Sequence, residues 1–185
     1  DLHSFPTRRS SDLEIGFIDK KGKLVIKPRF EGPWRFSEGL CCVLYGGKWG
    51  FIDKTGKFVI EPKFELPCEF SEGLCQVQYE GKRGFIDKTG RFVIEPRFES
   101  PKEYVVESRF KDGICQVQYD GKQGFIDKTG RFVIEPKYEF AREFSEGLCS
   151  VQYGGKWGFI DKTGQLIIDP RFEGAWTRFQ KAFVV

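Results

Sequence analysis

Gly84-Phe85-Ile86-Asp87-Lys88 decides how this chain is read, because the same five residues also begin at Gly16, Gly50, Gly124 and Gly158. Successive copies lie 34, 34, 40 and 34 residues apart, so the chain is a tandem repeat. A unit of this length is too small to bury its own apolar face. Stability must come from stacking neighbours, and function from the surface that the stack creates.

Upstream of Gly84, Leu74-Cys75-Gln76-Val77-Gln78-Tyr79 alternates strictly and is rich in β-branched and aromatic residues. That predicts a half-buried strand with Cys75, Val77 and Tyr79 on one face. Glu80-Gly81-Lys82 supplies a tight connection, and Arg83 to Asp87 returns as the antiparallel second strand. Asp87-Lys88-Thr89-Gly90 reads as a type I turn closed by a left-handed glycine. The third strand, Arg91 to Glu95, is expected to end at Pro96, which cannot donate to a ladder. Apolar spacing never switches to a sustained 3.6-residue period, so at most one helical turn is expected, near Lys102 to Ser108. The predicted fold is all-β: a tandem array of three-stranded antiparallel meanders forming an open, solenoid-like body. A β-propeller is the competing architecture, although propeller blades usually carry four strands.

The copies can be compared with one another. The Gly, Phe, Ile, Asp and Lys never change, which marks a shared packing and turn requirement rather than chemistry, since a catalytic group would be nearly singular. The residue before the glycine does change: Trp49, Arg83, Gln123 and Trp157. So permissive a position suits a partly exposed face. The connections between units also vary, and Ser100 to Arg109 makes one of them six residues longer than its counterpart at Leu66 to Glu69. Insertions of this kind map to loops.

Asp1 to Leu13 falls outside the pattern, and from His3 onward it resembles one reading frame of a DNA-sequencing adapter. It is set aside as non-native, leaving residues 14–185 as five units. No methionine occurs, and the last unit breaks off inside an expected strand, so both ends read as truncated. A net charge of +3 with 31% charged residues is nearly balanced and gives no strongly basic face for nucleic acid. No apolar run approaches the ~20 residues that a membrane-spanning helix needs.

Chemistry finds few footholds. The single histidine, His3, lies in the excluded segment, so the repeats offer no Ser-His, Cys-His or His-metal arrangement. No phosphate-binding glycine loop is present. Cys41, Cys75, Cys115 and Cys149 recur at one strand position and form a column; buried thiols, a disulfide or redox role, and a metal site are the three readings. Asp53, Asp87, Asp127 and Asp161 sit one per turn beside a lysine, which suits turn capping better than calcium binding. Neither cofactor nor metal is expected. Trp34 and Trp176 lie in variable connections, and Trp49 and Trp157 precede the glycine. They pack between repeats, or they present rings for a sugar or a protein anchor.

The registers Gly47-Lys48-Trp49-Gly50-Phe51-Ile52-Asp53 and Gly155-Lys156-Trp157-Gly158-Phe159-Ile160-Asp161, with Thr-Gly, Glu-Pro and Phe-Ser-Glu-Gly-Leu at fixed spacing, closely resemble the bacterial WG repeat family. The resemblance covers essentially everything from Glu14 to Val185, with Arg83 and Gln123 departing from the tryptophan. It implies a β-rich interaction module found in bacterial, often envelope-associated or secreted, proteins, with no shared enzymatic activity. The expected function is therefore a non-catalytic scaffold for a protein partner, with Trp34, Trp49, Arg83, Gln123, Trp157 and Trp176 as the candidate surface. Two alternatives stay open: carbohydrate or cell-wall binding through the aromatics, and an accessory array of an enzyme whose catalytic domain lies outside this stretch.

Overall fold

The computed structural model describes residues 2–6, 14–66, 68–100 and 108–173. They form five small antiparallel sheets, and no helix occurs among them. Sheet one holds β1 (His3–Pro6), β2 (Ile15–Ile18) and β3 (Leu24–Phe30). Sheet two holds β4 (Gly32–Ser37), β5 (Leu40–Tyr45), β6 (Lys48–Ile52) and β7 (Phe58–Phe64). Sheet three is β8 (Cys75–Tyr79), β9 (Lys82–Ile86) and β10 (Phe92–Phe98), and sheet four is β11 (Ile114–Tyr119), β12 (Lys122–Asp127) and β13 (Phe132–Tyr138). Sheet five is β14 (Phe140–Ala141), β15 (Leu148–Tyr153), β16 (Lys156–Asp161) and β17 (Leu166–Phe172).

Each sheet is the expected meander, but in sheets two and five the connection adds a fourth strand, β4 or β14, beside the first hairpin strand. The segment set aside as non-native also pairs: Phe5 lies opposite Gly16, the place that Val43 takes opposite Gly50 in sheet two. The helical turn looked for near Lys102 to Ser108 falls almost wholly outside the described residues.

Alternation along the second hairpin strand explains the constant motif. Side chains of a strand point alternately to its two faces. Phe51 therefore faces the following unit, in a core with Ile60, Phe64, Phe70, Cys75, Val77 and Ile86. Ile52 faces the preceding unit, in a core with Phe17, Ile26, Phe30, Cys41 and Val43. The pattern repeats through Phe85 and Phe125, so each core belongs to two units and neither unit owns it. Among the described residues no core cluster joins the first sheet to the fifth, and none of the sheets closes on itself.

The invariant glycine answers to a bulge. Arg83 pairs with Phe98 and Phe85 with Ile94, so the single Gly84 on β9 faces three residues on β10. These three, Glu95-Pro96-Arg97, bow toward Gly84, whose hypothetical Cβ would stand 2.7 Å from Ile94 O and 2.8 Å from Pro96 N. The third strand thus runs through Pro96 to Phe98 instead of ending there, because the bulge removes proline from the ladder.

The turn acts as read. Asp127 Oδ1 accepts from Thr129 N (2.8 Å), Thr129 Oγ1 (2.6 Å) and Arg131 N (3.1 Å), and Asp53, Asp87 and Asp161 do the same in their units. The threonine hydroxyl, followed by the backbone donors, holds these four carboxyl groups below the ordinary aspartate value of 3.8. A lowered folded-state pKa contributes stability that is present above the unfolded value and lost as pH falls through the folded one. The urea midpoint should therefore hold steady from neutral pH down to about pH 4 and fall below it.

One turn residue also measures the spacing of the stack. Gly90 has φ +82°, and a Cβ there would lie 2.9 Å from Ile60 Cγ2 of the unit before. Beside it, Lys88 reaches back to Glu38 at 3.0 Å, as Lys128 does to Glu72 (3.0 Å) and Lys162 to Asp112 (2.9 Å). Exposed pairs of this kind contribute little, being screened by solvent. Packing must therefore outweigh them.

Tyr138 departs from the pattern: Phe30, Phe64 and Phe98 fill the same place in other units, yet its buried hydroxyl has no hydrogen-bond partner among the described residues. A buried hydroxyl without a partner costs about 1–3 kcal/mol. Tyr138→Phe should accordingly raise the thermal midpoint, which differential scanning calorimetry would register. No change, or a drop, would show that the hydroxyl is satisfied by ordered water.

Candidate interaction surface

The residues before the glycine share the parity of Phe51, so they face the following unit, beside the inter-unit core. Trp49 packs on that core and its ring lies over Gly32 of β4. Trp157 meets Phe140 edge to face at 5.8 Å, with the Arg142 guanidinium 5.7 Å above its ring. Arg83 is only 5% exposed and donates to Gln76 Oε1 at 3.1 Å. Its burial pulls its pKa below the ordinary guanidinium value, with a nearby cysteine, Cys115, acting in the opposite direction. Gln123 Oε1 accepts from Gln116 Nε2 (2.8 Å) and Ala141 N. Trp49, Gln123 and Trp157 are partly exposed, as expected, whereas Arg83 is buried. The side chain of Trp34 and the whole of Trp176 lie outside the described residues.

The cysteine column exists, but not as a row of identical thiols. Cys68 from a connection is bonded to Cys75 of β8, with their Cα atoms 6.4 Å apart, which corrects the buried-thiol reading for that pair. Cys41, Cys42, Cys115 and Cys149 are outside the disulfide and buried. The tether was hard to foresee because Cys68 aligns with Trp34, Ser108 and Arg142, a position of no fixed chemistry. Burial pushes the Cys149 thiol up to about 12 and raises Cys115 as well. Thiolate is the reactive form, so both should label slowly in the native state. In denaturant four thiols should label without reductant and all six with it; fast native labelling of Cys115 or Cys149 would contradict their burial.

What the packing leaves outward is a set of rows along the third strands, each of which is a sheet edge. Val25, Val59, Val93, Val133 and Ile167 are exposed at equivalent positions. Two residues before them stand Lys23, Lys57, Arg91, Arg131 and Gln165, and two after them Lys27, Glu61, Glu95, Glu135 and Asp169, also exposed. This apolar stripe between charged rows was not singled out from the sequence. The exposed valine alternates with a buried isoleucine, and only the three-dimensional edge separates the two. Among the described residues no cluster of three or more His, Cys, Asp or Glu could hold a metal ion, and no helix is long and apolar enough to cross a membrane.

Successive antiparallel sheets packed face to face along the chain define a propeller-like β-repeat protein. Five matches to the family model for the WG containing repeat, at residues 15–49, 49–82, 84–122, 124–157 and 157–183, place the chain in that family. Among curated protein sequences none matches it. Of solved structures, it is similar to a crystal structure of a eukaryotic initiation factor at 8% identity and TM-score 0.58, over 93% of this chain and 53% of that one. It is also similar to a streptogramin B lyase (16% identity, TM-score 0.45, 83% of this chain and 60% of that one) and to Hsv2 of Kluyveromyces lactis (9% identity, TM-score 0.49, 84% and 56%). These neighbours are β-propeller-like folds, and the chain spans between half and two thirds of their length. The likeness concerns the fold alone.

Proposed function

We propose that this chain is a non-catalytic scaffold that binds a protein partner along the outward edges of its sheets. The observation that carries the reading is the stripe Val25, Val59, Val93, Val133 and Ile167 between its charged rows. Apolar side chains kept at the solvent side of every unit are not needed for the stack, and their recurrence at one position of each edge supports a contact surface. A polar, charged rim around an apolar centre is also the common anatomy of such interfaces. The edge itself resists strand addition, since each carries a proline in its bulge, so side chains rather than backbone would make the contact.

Photo-crosslinking residues placed at 59, 93 and 133 and expressed in the source organism test this. The expected result is one protein adduct common to all three positions, lost when Val93→Glu is combined with Val133→Glu. No protein adduct from any position would overturn the proposal.

A further inference from the structure

The outward edges differ in charge from one end of the array to the other. Lys27 stands where the other units have Glu61, Glu95, Glu135 and Asp169, so the first joint is built differently from the rest. Here a groove of about 690 Å³ runs between the edges of units one and two, lined by Val25, Lys27, Arg29, Lys57, Phe58 and Glu61, among others. Cations outnumber the carboxylate in that set. At the next two joints a glutamate, Glu61 or Glu95, takes the place of Lys27, and the same positions balance. At the last, Gln165 replaces the basic residue of the turn as well, and carboxylates prevail. Positive charge is thus concentrated at one end of the stripe.

The cations of this groove are kept toward solvent and are not spent within the fold. Lys27, Arg29 and Lys57 are exposed. Neither lysine has an ion pair among the described residues, whereas Lys88, Lys128 and Lys162 each reach a carboxylate of an earlier unit. Arg29 is anchored without being neutralised: it donates to Gly56 O, and its guanidinium lies 4.9 Å from the centre of the Phe30 ring and 5.8 Å from that of Phe58. Among the described residues that bond takes one N–H of the several that a guanidinium carries. A cation already in position loses less entropy on binding. Exposed Val25 and half-buried Phe58 give the groove an apolar floor.

We propose that this groove receives an acidic segment of the protein partner, which sets the direction in which that partner lies along the stripe. The inference rests on the edge stripe being the contact surface, and adds the partner's chemistry: carboxylates over units one and two, interspersed with apolar side chains that reach Val25 and Phe58. Complementary charges steer an encounter and fix its register more than they tighten it. Nucleic acid fits less well. A phosphate backbone carries charge along its whole length, and beyond the first joint it would meet the carboxylates of Glu95, Glu135 and Asp169.

Fluorescence anisotropy on the intact chain at low ionic strength tests it, with a fluorescein-labelled peptide of Glu-Glu-Leu repeats as the probe. A Lys-Lys-Leu peptide and a single-stranded oligodeoxynucleotide of matching length are the comparisons. The acidic peptide should bind at least tenfold tighter than either. Lys27→Glu combined with Lys57→Glu should weaken it at least tenfold. Arg91→Glu combined with Arg131→Glu, the same change in net charge at other joints, should alter it less than twofold. All four side chains are exposed, so both variants should keep the thermal midpoint. No binding of the acidic peptide, tighter binding of the oligonucleotide, or equal losses in the two double variants would each overturn the inference. Such results leave the edge stripe standing wherever the crosslinked adducts at 93 and 133 still form; missing adducts would overturn the stripe itself.

Discussion

Phe85→Ala should be the most damaging single change in the central part of the array, lowering stability by about 3–5 kcal/mol. Phe85 is fully buried and meets Phe98 at 6.5 Å and Phe110 at 5.1 Å, both edge to face. Its core also holds Cys115, Val117 and Ile126 of the following unit. Truncation therefore leaves a cavity at a joint between units. In a linear stack, stability is close to a sum of unit terms and neighbour terms, so the lost term is local. Hydrogen exchange should show amides of β8 to β10 and β11 to β13 losing protection first, while β5 to β7 hold theirs. A uniform loss across all five sheets would instead mean that the array unfolds as one cooperative block.

Gly84→Ala should come close behind, at about 3 kcal/mol or more, although it adds only one methyl group. The added carbon would meet two backbone atoms of the β10 bulge, and backbone cannot rotate away as a flexible side chain can. Gly73→Ala is the matched control. There φ is +86° but nothing lies within 4 Å, so the cost should be limited to the conformational penalty of roughly 1 kcal/mol. Urea unfolding of both variants separates the two origins. If Gly73→Ala proved the costlier, backbone conformation would outweigh crowding at the bulge.

Period-two alternation made the meander legible in the sequence, and constancy across copies marked Phe51 and Ile52 as structural. The bulge was not legible, because Glu-Pro after a strand reads locally as an ending. Only the pairing of Arg83 with Phe98 shows that the chain continues. Candidate surface residues fared unevenly for a related reason. Variability between copies signals freedom from the repeat's own constraint, and that freedom can be spent inside the protein as well as outside it. Arg83 is buried against Gln76, and Trp157 meets Phe140 edge to face. The disulfide of Cys68 escaped because it joins a constant column to a position with no constant chemistry.

The placement of Phe51 and Ile52 on opposite faces gives the stack a direction, since every unit offers a phenylalanine face forward and an isoleucine face backward. Every joint between described units pairs unlike faces. Further copies joined in the same way would meet head to tail and heterologously, a geometry that closes into a ring or extends into a filament.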